Sequence, residues 1–289
     1  MNRKRFTILC VMLVIALTMP AQETITYQRK DSLKVCRLLR ECGRKADVLW
    51  FARQFIGIPY VAHTLEVNDS EQLVINTYQL DCTTLVETVA ALKLCAQQGK
   101  RGWDDYTNVL RQLRYRDGKI EGYASRLHYF SEWIENKVKM KLVTDVQSPN
   151  PPFSAIQKID VSYMSEHPQA YKALRNNPDL VPLIRQYEQK LTGSSVHYIP
   201  KSEVKNTTLM RQTVKDGDII AITCDKPGLD ISHLGFAVWR ADGLHLLNAS
   251  QIRRKVVEEP MTLRYYLQKH PTFTGIRIIR INTNIKTNK

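Results

Sequence analysis

Apolar residues between 31 and 56 recur at helical spacing: Leu33, Val35, Leu38 and Leu39, then Val48, Leu49, Phe51 and Phe55. Gly43 interrupts the series, so the pattern predicts two helices, the second closed by Gly57-Ile58-Pro59-Tyr60. Residues 61–80 are mostly polar with isolated apolar positions, which suits a short strand or two, one of them at 73–75. Leu80-Asp81-Cys82-Thr83-Thr84 then opens a stretch that places Leu85, Val89, Leu92 and Ala96 on one stripe. It predicts an amphipathic helix with Asp81 or Thr83 as N-cap and Gly99 at its end. From 100 to 210 the pattern reads as helices and irregular loops: a helix over 125–139, a break at Pro151-Pro152, and polar amphipathic helix over 163–192.

From Val214 the period changes. Strands are predicted over 218–224 and 233–240, a hairpin turn at Ala241-Asp242-Gly243, and strands over 244–250 and 255–258. A helix over 262–270 and a last strand over 275–282 complete the plan. Helices followed by an antiparallel sheet define an α+β class. No Pro- or Gly-rich linker divides the chain and no segment repeats. Residues 22–289 are therefore expected to form one domain with a helical insertion at roughly 100–210.

Composition adds a charge to explain. The 289 residues carry 42 Lys and Arg against 28 Asp and Glu, a net +14, with 43% hydrophobic residues. Those fractions exclude disordered, collagen-like and low-complexity scaffolds. The basic excess points to an anionic partner: nucleic acid, a membrane or a cell-envelope polymer. The N-terminus narrows that choice. Arg3, Lys4 and Arg5 precede an apolar stretch over 8–19, and Pro20-Ala21-Gln22 ends it with a small residue. This is the layout of a secretory signal peptide over 1–21. The rival is an uncleaved anchor, for which the apolar run is short. Leu9 before Cys10 is too large for a lipid-attachment site. The mature chain stays basic without Arg3, Lys4 and Arg5. Export makes nucleic acid the wrong partner, and no stable membrane span is expected after signal removal.

Cys36, Cys42, Cys82, Cys95 and Cys224 remain after Cys10. An odd count leaves at least one thiol without an intramolecular partner. Cys36 and Cys42 would lie about 9 Å apart on a continuous helix, too far to bridge. No pair has metal-site spacing, so no metal or cofactor is expected. Cys82 stands out because it sits where a polar loop enters a helix. Free N–H groups and a partial positive charge there favour the thiolate, the nucleophilic form. His233 opens an apolar strand beside Gly235 and is the best candidate base. Asn248 follows on the next hairpin strand and can orient the imidazole in a Cys–His–Asn arrangement. His245 is the rival orienter, but alternation turns it to the opposite face with Leu247, while Leu246 and Ser250 share the face of Asn248. In 123–133, Tyr123, Tyr129 and Trp133 offer flat faces for sugar rings. Phe130 and Trp133 read better as core. Arg126 suits a substrate carboxylate and His128 a carbonyl.

Four segments carry a resemblance: FIGIPYVAHTLE at 55–66, LDCTTLVE at 80–87, VKDGDIIAIT at 214–223 and ISHLGFAV at 231–238. They resemble the NlpC/P60 superfamily of papain-like cell-wall hydrolases. The closer likeness is to the DUF1460 or N-acetylmuramoyl-L-alanine amidase-like subgroup. It rests on Tyr115-Arg116-Asp117-Gly118, on YASRLHYF at 123–130, on Tyr198-Ile199-Pro200 and on Leu247-Asn248-Ala249-Ser250. It extends over 44–281. The resemblance implies a papain-like fold with the nucleophile at a helix start packed on an antiparallel sheet. Cys82 would be nucleophile, His233 general base, and Asn248 the third polar residue, a position where many members carry His. Tyr60 would line the site, and Asp81 and Ser232 join Tyr123, Arg126 and His128 as candidate substrate contacts. The N–H of Cys82 would be one oxyanion donor, and His233 would hold Cys82 as thiolate. The implied activity is an exported, periplasmic cysteine amidase on peptidoglycan or muropeptides. The bond would join N-acetylmuramic acid to L-Ala. The alternatives are a stem-peptide endopeptidase cutting D-Glu–diamino acid and a catalytically silent envelope-binding module.

Overall fold

The computed structural model describes residues 25–43 and 46–283. The leader expected at 1–21 lies outside them. Helices α1 (Arg29–Glu41) and α2 (Val48–Arg53) form as the spacing predicts. Between them Gly43 takes φ +49°, a left-handed conformation that suits glycine. Strands β1 (Ile25–Thr26) and β2 (Leu73–Val74) make a small parallel pair.

Helix α3 (Cys82–Gln97) starts at an N-cap formed by Asp81. The Asp81 carboxylate accepts the N–H of Thr84 at 2.8 Å, and the Thr84 hydroxyl accepts the N–H of Asp81 at 2.9 Å. The helix is not amphipathic, contrary to the single stripe expected. Val86, Ala90 and Leu94 are as buried as Leu85, Val89 and Leu92. The reason is its position: α1, α2 and α4 (Trp103–Arg114) pack around it and the sheet covers the remaining side. An element enclosed on all sides is apolar on all sides.

The sheet contains β6 (Ile219–Cys224), β7 (Ile231–Trp239), β8 (Leu244–Ser250), β9 (Lys255–Glu258) and β10 (Phe273–Ile281), with α10 (Leu263–Gln268) before the last. All its pairings are antiparallel. Three further strands come from the region expected to be helices and loops: β3 (Val143–Val146), β4 (Ala155–Lys158) and β5 (Ser195–Pro200). The order is β4-β5-β10-β6-β7-β8-β9, with β3 also on β10. These added strands lie at an edge and alternate polar with apolar residues over few positions, too few for periodicity to reveal them. Gly275 shows how close β5 comes: a Cβ there would lie 2.2 Å from the carbonyl oxygen of Ile199.

The other corrections also fall in 100–210. The helix expected over 125–139 is α5 (Phe130–Lys139) alone, preceded by a 3-10 turn at Tyr123–Ser125 and an extended Arg126. The helical stretch at 163–192 breaks into α6 (Tyr163–Glu166), α7 (Lys172–Asn176) and α8 (Leu180–Leu191). Pro168 and Pro178 mark the breaks. A short α9 (Thr208–Thr213) precedes β6. One sheet face, with Leu234, Phe236 and Leu247, packs on α3. The other, with Ile220, Ala237 and Leu246, packs on Leu263, Tyr266 and Leu267 of α10. A third apolar cluster joins α6–α8 to Tyr123 and Tyr129. Among the described residues no helix is long and apolar enough to cross a membrane.

Candidate active site

Cys82 is the first residue of α3 and is half-buried. The backbone N–H of Leu234 and the groups of Thr83 lie near its sulfur and act to lower its pKa. Because Leu234 follows His233 on β7, this contact ties the helix start to the strand that carries the imidazole. Alternation along β7 sends Leu234 into the core beside α3. His233, paired with Ile222 across the sheet, shares the opposite face and approaches Tyr266 of α10 with ring centroids 6.4 Å apart. Cys82, Ser232 and His233 line one cleft of about 180 Å³, together with His128, Tyr171 and Asp230.

Nε2 of His233 lies 2.9 Å from Oδ1 of Asn248. The amide oxygen accepts, so Nε2 carries the proton, and Nδ1 has no hydrogen-bond partner among the described residues. Gly235 makes the approach possible. A Cβ there would meet Leu246 Cδ1 and Leu247 O at 2.7 Å, forcing β8 away from β7. The rival orienter is spent elsewhere. His245 is 1% exposed, with Nδ1 bonded to the carbonyl of Glu259 and Nε2 to Asp242, both at 2.9 Å.

The protonation states differ from the thiolate expected. Burial, and then the Asp81 carboxylate, push the Cys82 thiol up to about 12, against the opposing bonds from Leu234 and Thr83. The residue that caps α3 thus supplies a negative charge beside the sulfur, which counters the helix's positive end. Burial also holds His233 below its ordinary value, opposed by Asn248 and by the charge of Glu259. Both shifts favour the uncharged forms, a thiol and a neutral imidazole. Tyr60 sits close enough to be affected: burial, then Cys82 and Asp81, raise its phenol to about 12. It remains a protonated hydrogen-bond donor.

The substrate contacts expected on 123–133 are rearranged. Arg126 is 6% exposed, with Nη2 2.5 Å from Glu66 Oε1 and Nε 3.6 Å from Glu71 Oε1. Its guanidinium already faces two carboxylates of the protein, so a substrate carboxylate finds it occupied. Arg126 precedes α5 on an extended backbone rather than lying within a helix over 125–139. His128 does line the cleft. Its Nε2 is bonded to the carbonyl of Tyr123 at 3.0 Å, and burial together with Arg126 pulls its pKa down to about 3. The neutral ring therefore offers the cleft an acceptor at Nδ1 rather than the expected donor. Tyr123 is buried and borders a separate cavity of about 420 Å³ with Glu66, Glu71 and Lys172. Tyr129 donates its hydroxyl to Glu188 at 2.7 Å, while Phe130 and Trp133 stack in the core at 4.8 Å. Asp81 caps α3, and Ser232 borders the cleft.

Sequence reasoning missed Asp230, Tyr171 and Glu259. Asp230 accepts the N–H of Ser131 at 2.7 Å, which fixes the entry to β7 against the first turn of α5. Glu259 Oε1 lies 3.5 Å from Nδ2 of Asn248. Asp230 and Ser131 are 99 residues apart, and no local periodicity signals their contact. Among the described residues no group of three or more His, Cys, Asp or Glu could hold a metal ion. The described cysteines are all unpaired.

An α3-borne thiol beside a histidine held by an asparagine defines a cysteine–histidine site on an antiparallel sheet. Residues 50–276 match the AmiA-like family, described as N-acetylmuramoyl-L-alanine amidase-like, and the chain belongs to that family. It is similar to an N-acetylmuramoyl-L-alanine amidase from Bacteroides uniformis ATCC 8492, with 42% identity over 83% of this chain and 100% of that one, at a TM-score of 0.76. A Bacteroides fragilis protein provisionally called a xylanase is also similar, with 44% identity over 80% of this chain and 100% of that one, at a TM-score of 0.75. A DUF1460 protein from Legionella pneumophila shares the fold at 23% identity, with a TM-score of 0.67 over 87% of this chain and 94% of that one. No curated protein matches the chain.

Proposed function

We propose that this protein is an exported cysteine amidase that hydrolyses the bond between N-acetylmuramic acid and L-Ala in peptidoglycan or muropeptides. In this reading residues 1–21 are its leader, residues 22–289 fold as one papain-like NlpC/P60 domain, and it works in the periplasm. The observation that carries the reading is the His233–Asn248 bond, which leaves Nδ1 free in the cleft that Cys82 lines. Nδ1 takes the thiol proton as sulfur bonds to the lactyl carbonyl carbon. The N–H of Cys82 and the Tyr60 hydroxyl receive the developing oxyanion. The imidazolium then gives its proton to the L-Ala nitrogen, the C–N bond breaks, and a thioester remains. Water, deprotonated by His233, hydrolyses it and restores the thiol.

Glycoside hydrolysis, the chemistry of a xylanase, uses two carboxyl groups flanking the bond. The only carboxylate lining this cleft among the described residues is Asp230, which is bonded to Ser131. Digestion of purified muropeptides with mass analysis tests the proposal. Release of the whole stem peptide supports it. Release of a sugar still bearing L-Ala-D-Glu replaces it with the endopeptidase reading, and no turnover by the intact chain replaces it with a binding module.

A further inference from the structure

We propose that Glu259 is a positioning residue of this site, holding the Asn248 amide in the one orientation that leaves His233 able to accept the thiol proton. The inference rests on the cysteine-amidase reading and deepens it. Glu259 lies just beyond β9 and is 2% exposed. Its Oε1 is 3.5 Å from Nδ2 of Asn248, and its Oε2 is 3.5 Å from Nε of Arg253. Asn248 is fully buried, and among the described residues its side chain bonds only His233 and Glu259.

An asparagine amide turned by half a rotation exchanges donor and acceptor with almost no change of shape. Contact with His233 alone does not choose between the two states, because each tautomer of a neutral imidazole suits one of them. With the amide flipped, Nδ2 would face Nε2 of His233, and the ring proton would move to Nδ1. That is the nitrogen the thiol needs as acceptor, so the flip disarms the base. The flip would also aim Oδ1 at Glu259. An ionised carboxylate only accepts hydrogen bonds. Two acceptors would then face each other in a buried place, where unpaired polar atoms are costly. Charge, not shape, forbids the flip. Asp81 and His270 also act on His233 through their charges, but neither bonds the amide.

A polarity-exchange cycle tests this. Glu259→Gln offers a group that accepts or donates, so the lock is lost. We expect kcat on muropeptide to fall about tenfold with little change in KM. Asn248→Asp sets two carboxylates against each other and also lowers kcat. In the double variant the new amide at position 259 donates to the new carboxylate at position 248, whose other oxygen accepts from His233, and kcat recovers above either single variant. Nitrogen-15 NMR of the imidazole should show the Nε2–H tautomer in the native chain and in the double variant, and a mixture after Glu259→Gln. Arg253→Ala should leave the tautomer unmoved. A native kcat and tautomer after Glu259→Gln overturns the proposal, as does a double variant that merely multiplies the two losses. Cys82→Ala separates the two levels. Turnover that survives it overturns the cysteine reading, whereas turnover lost with Cys82 but indifferent to Glu259 overturns this inference alone.

Discussion

The state of the Cys82 thiol is open to direct measurement by alkylation across pH. Burial and Asp81 raise it from 9.0 to about 12. Near neutral pH, that shift reduces the thiolate fraction about a thousandfold relative to a free cysteine. The assay follows carbamidomethylation of the peptide containing Cys82 by mass spectrometry, with Cys36 as the half-buried reference on the same chain. Cys82 should alkylate far more slowly than Cys36 near neutrality. Its rate should climb tenfold per pH unit with no plateau below about pH 9. His233→Ala should hardly move the curve, because a neutral imidazole contributes no charge to hold a thiolate. Asp81→Asn should shift it to lower pH by removing the nearby negative charge. A preformed thiolate–imidazolium pair gives the opposite result: a flat, fast plateau across mildly acidic and neutral pH that collapses with His233→Ala. That plateau would refute the neutral pair.

Turnover should follow the imidazole. His233 titrates below its ordinary 6.5. The base is thus neutral above that lowered pKa and is lost by protonation as pH falls through it, so the acid limb of kcat/KM should lie below about pH 6.5. Gly235→Ala should destabilise the fold by about 1–3 kcal/mol in urea titration and reduce kcat, since the new methyl meets β8 at 2.7 Å. Glu87→Ala should cost about 3–5 kcal/mol by the same measurement, because it leaves Arg114 charged and 2% exposed without its partner at 2.7 Å. Arg126→Met should lower the melting temperature while leaving KM for muropeptide nearly unchanged. A large KM effect with an unchanged melting temperature would return Arg126 to the substrate.

The C-terminal half of the sheet was legible because its strands are apolar runs, covered on both faces and bounded by turn residues. Val214 onward gives each of β6, β7, β8 and β10 to within a few residues. The grouping of the candidate site residues was legible for a related reason. Cys82 opens α3 and His233 lies near the start of β7, where caps and turns leave local marks, and Asn248 is one hairpin strand from His233. Residues 100–210 were less legible because their elements are short and stabilised by distant partners. Arg126 illustrates the cost. Its backbone is held by Tyr115 and its side chain by Glu66 and Glu71, about 55–60 residues earlier, and helical spacing sees neither. Burial also reversed a local rule. A helix N-terminus favours a thiolate when exposed, but here the cap is a carboxylate and burial strips water from the sulfur.

The basic excess therefore needs a different reading. Several arginines are engaged by the protein's own carboxylates: Arg114 by Glu87, Arg116 by Glu132, Arg126 by Glu66, Arg277 by Asp145 and Arg280 by Asp218. Among the described residues no Lys or Arg lines the cleft. Short-range charge pairing at the reacting bond is thus not what the +14 supplies. Charge spread over an exposed surface acts at long range, raising encounter rates with an anionic polymer and fading over about 8 Å at physiological salt. Salt should accordingly raise KM for intact, multiply anionic peptidoglycan far more than for one short muropeptide, and leave kcat unchanged for both. Equal salt sensitivity of KM for the two substrates would place the recognition charge in the cleft and contradict the distribution of basic side chains.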